Sequence, residues 1–357
     1  MIRRVHVIES GGRGGVFNHS VEVVTGLRAL GVDVTLHTTD DPETAPDGLA
    51  MCPCISWYRR SRSRFVRRSR TAARYLTRTL PHLYRVIGAD DVVHIQGLFA
   101  LTPEIISVAR MRRATVVCSP HNTFVRADTL GNARALATML RRADRVLAYS
   151  DADSANLAGG APRVGRVPLV QWTPPVDPDR VAAWRARLAA DGSLLAVMPG
   201  YIRADKNCDV FVRATSMMPG WRGAVVGEDL GSGAALQALI ERTAAPVTTH
   251  YGYLDLHDFV ALVSAADVIA APYRVASQSG VLSIAAKLGV PRATAPTGGL
   301  VEIATAVARD ITPEGIRDAM LSAHEIGASP IAVADAAGLF VREYLVAHEG
   351  RRLPVHP

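Results

Sequence analysis

The chain has 357 residues, a length that suits two domains of about 150 to 180 residues each. Hydrophobic residues make up 48% and charged residues 20%, which excludes a fibrous or largely disordered chain, and no apolar run approaches the roughly 18 residues of a membrane span. The 40 Lys+Arg against 33 Asp+Glu give a net charge of +7, nearly all of it arginine, which fits either a GC-rich coding bias or an anionic ligand.

Taken in order, the N-terminus Met1 to Glu9 carries a short apolar run broken by His6 and reads as a first strand, not a leader, so a cytoplasmic protein is expected. Gly11-Gly12-Arg13-Gly14-Gly15 follows at once, then a helix from Val16 to Leu30 with apolar residues at helical spacing, stopped by Gly31. Val32–His37, Asp91–Ile95, Ala114–Cys118 and Arg145–Tyr149 read as further strands with helical patterns between them. The pattern restarts with strands at Leu194–Met198, Gly223–Gly227, Pro246–Tyr251, Ala266–Ala271 and Pro291–Ala295. Between the halves, Val167 to Pro178 is proline-rich and reads as a hinge. Strand-helix alternation implies parallel sheets covered on both faces, so two doubly wound α/β domains with a cleft between them are expected. Ligands should then sit beyond the carboxyl ends of the strands.

Four such loops carry chemistry. The glycine run after the first strand lets backbone approach a ligand and opens a helix, but its spacing is not a dinucleotide fingerprint, which disfavours a dehydrogenase. His19, one turn on, either reaches the cleft or caps the surface. The turn Gly200-Tyr201-Ile202-Arg203-Ala204-Asp205-Lys206-Asn207 places Arg203 and Lys206 three apart, and Lys206 is one of very few lysines. A guanidinium and an ammonium aimed at one spot suit a diphosphate leaving group. Ser277-Gln278-Ser279-Gly280-Val281 precedes a helix and reads as an anion or sugar cradle, against the plainer reading of a serine cap. Thr297-Gly298-Gly299 with Glu302 is the fourth.

The order of these pieces resembles the GT-B glycosyltransferases, most closely the retaining family 4. The resemblance rests on Asp91-Val92-Val93-His94, a strand running to His121, Ala143-Asp144-Arg145-Val146 to Ser150, Gly200/Arg203/Lys206, Val225-Val226-Gly227, Ala265-Ala266-Asp267-Val268, Gly289-Val290-Pro291, and Gly298-Gly299 with Glu302. It implies an acceptor-side domain over 1–168 and a donor-binding domain over 169–334, with a C-terminal helix over about 335–357 packing back on the first. It implies that Arg203 and Lys206 hold the donor diphosphate, that His121 contacts the transferred sugar, and that Gly14 and Gly15 line the cleft. By the same resemblance Tyr253 and Leu254 hold the base, Ser277, Gln278, Ser279, Gly280 and Val281 complete the donor site, and Arg13, His19 and Asn122 meet the acceptor. One departure stands out: the family's two glutamates fall at Ser277 and Ala285 here, so Ser279 and Gly280 are expected to take over phosphate contact.

Arg59, Arg60, Arg62, Arg64, Arg67, Arg68, Arg70, Arg74 and Arg78 form a basic stretch, interleaved with Trp57, Tyr58, Phe65, Val66, Tyr75, Leu76, Leu80 and Leu83. It reads equally as a solvated helix face or as a surface that contacts an anionic membrane on the cytoplasmic side or receives a phosphorylated acceptor. Nucleic acid is not an expected partner. Cys52-Pro53-Cys54 shows no partner pair, so no metal is expected, and no cofactor. The expected activity is transfer of a sugar from a nucleotide-diphosphate donor to a small-molecule, glycan or lipid-linked acceptor, with retention and without a metal. The alternatives are a nucleotide-sugar 2-epimerase, for which Glu9, Asp128 and Glu228 are the tempting carboxylates, and a non-catalytic nucleotide-sugar-binding homologue.

Overall fold

The computed structural model describes residues 2–55, 64–99, 101–123, 130–160, 163–331, 333 and 335–352, without the side chains of 64–68, 130, 131 and 352. The chain divides into two compact units, Met1–Trp172 with Val333–Pro357, and Thr173–Ala332. The break falls inside the proline-rich stretch, four residues beyond the predicted 168/169 boundary.

The first unit is built on β1 (Val5–Glu9), β2 (Val34–Thr39), β3 (Met51–Ile55), β4 (Val92–Gln96), β5 (Thr115–Ser119), β6 (Arg145–Ala148) and β7 (Val164–Arg166). They form one parallel sheet in the order β3-β2-β1-β4-β5-β6-β7. β1, β4 and β5 are buried at every residue, as a sheet covered on both faces requires. Successive side chains alternate between two cores: Val7 packs with Phe17, Val24 and Leu27 of the helix Gly14–Ala29, and Ile8 with Ile95, Val116 and Leu83. Each such side chain contributes about 1.5–3 kcal/mol on burial. The helix Ala336–Arg352 packs Phe340, Tyr344 and Ala347 into the first of these cores, which makes it part of this unit.

The second unit carries β8 (Leu194–Pro199), β9 (Trp221–Gly227), β10 (Val247–Tyr251), β11 (Val268–Ala271), β12 (Arg292–Thr294) and β13 (Ala306–Val307), parallel in the order β10-β9-β8-β11-β12-β13. β3, β7 and β13 were not legible as strands. All three are edge strands, β3 carries Pro53, and the other two are no longer than three residues.

In each sheet the chain order reverses at one place. β1 pairs with both β2 and β4, and β8 pairs with both β9 and β11. These switch points open a crevice at the carboxyl ends of the strands, where doubly wound sheets take ligands.

Candidate active site

At the switch point of the second sheet, β8 runs into Gly200, which adopts φ 112°, and then into a short 3-10 turn, Ala204–Lys206. Arg203 donates through Nε to Asp205 Oδ1 at 2.7 Å and through Nη2 to Oδ2 at 3.1 Å, a fork-to-fork pair that fixes the guanidinium plane. The Lys206 ammonium sits 3.3 Å from the ring centroid of Tyr273, a buried aromatic in the loop after β11. Asn207, left-handed at φ 52°, joins the two loops: its Nδ2 donates to the Pro272 carbonyl at 2.8 Å and its Oδ1 accepts from Arg274 at 3.0 Å. The Arg274 amide donates to the Asp205 carbonyl at 2.9 Å.

The cradle after β11 is held from below. Ser279 caps the helix Gly280–Lys287 by accepting from the Leu282 amide at 3.4 Å, so the plainer reading of a serine cap holds. The first turn of a helix nonetheless presents amides with no intrahelical partner. Val281 lies against Gly200: its Cγ2 would be 3.8 Å from a Cβ placed there. Ser277 accepts from the Gly299 amide at 3.1 Å, and Gly298, at φ 49°, sits so close to the Ala276 carbonyl that no side chain fits. The turns around Arg203, Ser279 and Gly298 therefore converge. Gln278 is half-buried beside them, Tyr253 is exposed and Leu254 half-buried in the loop after β10, and Glu302 is exposed. Ala285 is fully buried in the helix interior.

At the switch point of the first sheet the chemistry differs. Glu9 ends β1 with its carboxylate buried; it accepts from the Gly11 and Gly12 amides and from Thr38 Oγ1 at 2.9 Å. Burial raises its pKa, against the pull of those donors. The Gly14 amide donates to Glu43 at 3.1 Å, and a Cβ on Gly14 or Gly15 would meet open space. Beyond β4, β5 and β6 lies a network of neutral groups. His121, at φ 59°, donates from Nε2 to Gln96 Oε1 at 2.7 Å. The Tyr149 hydroxyl lies 3.0 Å from Gln96 Oε1, 3.0 Å from His19 Nε2 and 3.1 Å from His121 Nε2. His19 Nδ1 donates to the Val170 carbonyl at 2.7 Å. Burial lowers the pKa of His19 to about 4 and that of His121 well below its usual value, so both are neutral imidazoles near pH 7. Among the described residues, the Nε2 amide of Gln96 is buried without a hydrogen-bond partner.

Several expectations change. His19 is wholly buried, because its turn of the first helix faces the core between Val170, Tyr149 and Phe340; its ring lies against Tyr149 and His121. Arg13 and Asn122 are exposed and keep a surface role open. Glu9 is committed to the glycine loop, which removes one carboxylate the epimerase alternative needs; Asp128 lies outside the described residues, and Glu228 is half-buried. In the basic stretch, Arg59, Arg60, Arg62, Trp57 and Tyr58 lie outside the described residues, as do the side chains of Arg64, Phe65, Val66, Arg67 and Arg68. Tyr75 and Leu83 belong to the unit's own core, so they supply no membrane-facing surface; Leu76 and Arg78 are exposed. Among the described residues no helix is long and apolar enough to cross a membrane. Cys52 and Cys54 do have partners, His37 and His82.

Asp205, Tyr273, Gln96 and Tyr149 were missed. Gln96 and Tyr149 stand directly at the ends of predicted strands, a position that could have flagged them; Asp205 and Tyr273 act through the residues they hold.

Residues 13–180, somewhat under half of the chain, match the family model described as Glycosyltransferase Family 4. No curated protein matches the sequence significantly. Among solved structures, the chain is similar to Anabaena HepE in complex with UDP-glucose, with a TM-score of 0.66, 12% identity and 98% of each chain covered. It is similar to the sucrose-phosphate synthase of Thermosynechococcus elongatus at TM-score 0.66, 16% identity and 98% of each chain. It is also similar to WaaG, a glycosyltransferase involved in lipopolysaccharide biosynthesis, at TM-score 0.61 and 15% identity, covering 98% of this chain and 96% of that one. At such identities the likeness establishes the architecture: the fold is GT-B, two Rossmann-like α/β domains.

Proposed function

We propose that the protein is a glycosyltransferase that moves a sugar from a nucleotide-diphosphate donor to a hydroxyl acceptor. The observation that carries this is the pairing of Arg203 and Lys206 with the amino end of the helix Gly280–Lys287, at the switch point of the second sheet. Cleavage of the donor builds negative charge on the departing diphosphate, and preorganised cations with helix amides stabilise it. Tyr253 and Leu254 would border the base, and Ser277, Gln278, Ser279, Gly280 and Val281 the phosphates. His121, Gln96 and Tyr149 would offer uncharged hydrogen bonds to the sugar, with Arg13, Asn122, Gly14 and Gly15 at the acceptor side. Retention fits a mechanism in which the leaving phosphate oxygen takes the acceptor proton on the face it leaves, so the protein contributes position and charge, without a catalytic metal.

The absence of carboxylates at Ser277 and Ala285 supports a second reading, a nucleotide-sugar-binding protein without turnover. Thermal unfolding with UDP, GDP and their sugar conjugates tests the first. One nucleotide at about 100 times its Kd should stabilise the wild type by about 2.7 kcal/mol, and the shift should vanish in Arg203→Ala/Lys206→Ala. No shift with any nucleotide would overturn both readings. Nucleotide release that requires an acceptor separates transfer from epimerisation, and binding without release leaves the second reading.

A further inference from the structure

We infer that His37, Cys52, Cys54 and His82 form a closed Cys2His2 site for a tetrahedral thiophilic cation of the zinc(II) class. One ligand atom from each residue lies within 4.8 Å of every other. Cys52 Sγ is 3.2 Å from His82 Nε2, and Cys54 Sγ is 3.5 Å from His37 Nδ1. Around tetrahedral zinc, bonds of about 2.3 Å to sulfur and 2.0–2.1 Å to nitrogen put donor atoms roughly 3.3–3.8 Å apart. The widest-spaced of the four need to close by no more than about 1.5 Å.

The fold explains the convergence. Cys52 and Cys54 are two apart on β3 and so share a face. His37 is the partner of Cys52 on β2. His82 comes from the helix Leu80–Val86, which continues a π-helical turn, Tyr75–Thr79. That turn is fastened to the same strand: Thr79 Oγ1 donates to the Cys54 carbonyl at 2.7 Å. Pro53 lies on an edge strand, where its missing N–H costs no ladder bond.

The second observation is the proton order behind His37. Asp91 accepts from Arg3 at 3.0 Å and lies 3.1 Å from His6 Nε2; His6 Nδ1 lies 3.0 Å from His37 Nε2. A carboxylate can only accept, so His6 carries its proton on Nε2 and offers a lone pair at Nδ1. His37 must then carry its proton on Nε2, which leaves the Nδ1 lone pair directed at the two thiols. Metal-binding histidines are oriented by this kind of buried relay ending on a carboxylate. The relay presents His37 in the tautomer that ligation through Nδ1 requires.

Four protein ligands leave no open position, so the cation would be structural. It would clamp the edge strand β3 and the helical segment over it to the first sheet, and it is independent of the transfer reading at the second sheet.

The test uses the full chain purified under reducing conditions without chelator. Elemental analysis should find about one zinc per chain, and a cobalt(II)-exchanged sample should show tetrahedral d–d bands with sulfur-to-cobalt charge transfer. In the wild type, Cys52 and Cys54 should react slowly with a thiol reagent until a chelator is added. Cys52→Ser/Cys54→Ser should lose the metal, and His6→Ala should weaken its affinity about 10- to 100-fold. Substoichiometric metal with no thiolate bands on cobalt, equal thiol reactivity with and without chelator, or a Cys52–Cys54 disulfide in the protein as purified would each overturn the site, and all three are read on the wild type.

Discussion

The two switch points share a topology and oppose each other in chemistry. In the first sheet the glycine loop is organised by carboxylates, Glu9 and Glu43, and the strand ends carry buried neutral imidazoles around Tyr149. In the second, the strand ends carry Arg203 and Lys206, held in place by Asp205 and by the face of Tyr273. A doubly wound sheet therefore supplies the socket, and a few loop residues decide its ligand. On the proposed reading the first would take uncharged hydroxyl groups and the second an anion.

Acid should separate the two units most strongly. His19 and His94 are held neutral by burial, with folded pKa values of about 4 and about 3 against an ordinary 6.5. The unfolded chain binds protons that the folded one refuses, so stability is full above about pH 6.5 and falls as pH drops toward 4. Each histidine removes up to about 1.4 kcal/mol per pH unit, so the pair costs on the order of 5 kcal/mol by pH 4.5. Glu9, whose carboxyl is raised by burial, works in the opposite sense. In the second unit burial lowers the pKa of the half-exposed His250. Hydrogen exchange read by mass spectrometry at pH 7, 5.5 and 4.5, corrected for intrinsic rates, should show β1, β4 and β5 losing protection before β8 and β11. Simultaneous loss would break the comparison.

The next largest effect belongs to the second unit. Gly227 ends β9 at φ 154° with its α-carbon against the Gly200 carbonyl, so a Cβ would strike backbone. Gly227→Ala should cost about 3 kcal/mol, roughly a 6–12 °C fall in that unit's Tm, because backbone must move under the Arg203 turn. Gly14→Ala in the first unit, at φ 72° but facing open space, should cost only about 1 kcal/mol. Equal losses in calorimetry would mean that the two loops are packed alike.

How much of this was legible follows from what each signal depends on. The central strands announced themselves, because a strand buried on both faces must be a continuous apolar run, as in Leu194-Leu195-Ala196-Val197-Met198. Arg203 and Lys206 were legible because their spacing and their place after such a strand are local properties. His19 was not, since burial depends on which face of its helix meets Tyr149, 130 residues away. The grouping of His37 and His82 with Cys52 and Cys54 was hidden for the same reason. The ligands come from two paired strands and a helix, and no short spacing brings a second pair to Cys52-Pro53-Cys54.

The smallest effect tests what Asp205 does for Arg203. Its carboxylate fixes the guanidinium, yet it places a negative charge beside the spot where a diphosphate would bind. Asp205→Asn keeps one acceptor oxygen for Arg203 and removes the charge. The ion pair is partly exposed, so stability should change by less than about 1 kcal/mol. Relief of repulsion at a separation of about 6 Å is worth roughly 1 kcal/mol in a water-like dielectric, so the nucleotide diphosphate should bind about five-fold tighter, an effect that fades at high salt. Isothermal titration at two ionic strengths measures both. Weaker binding at both would show that the fork geometry outweighs the charge, and that the second socket depends on a fixed guanidinium more than on its field.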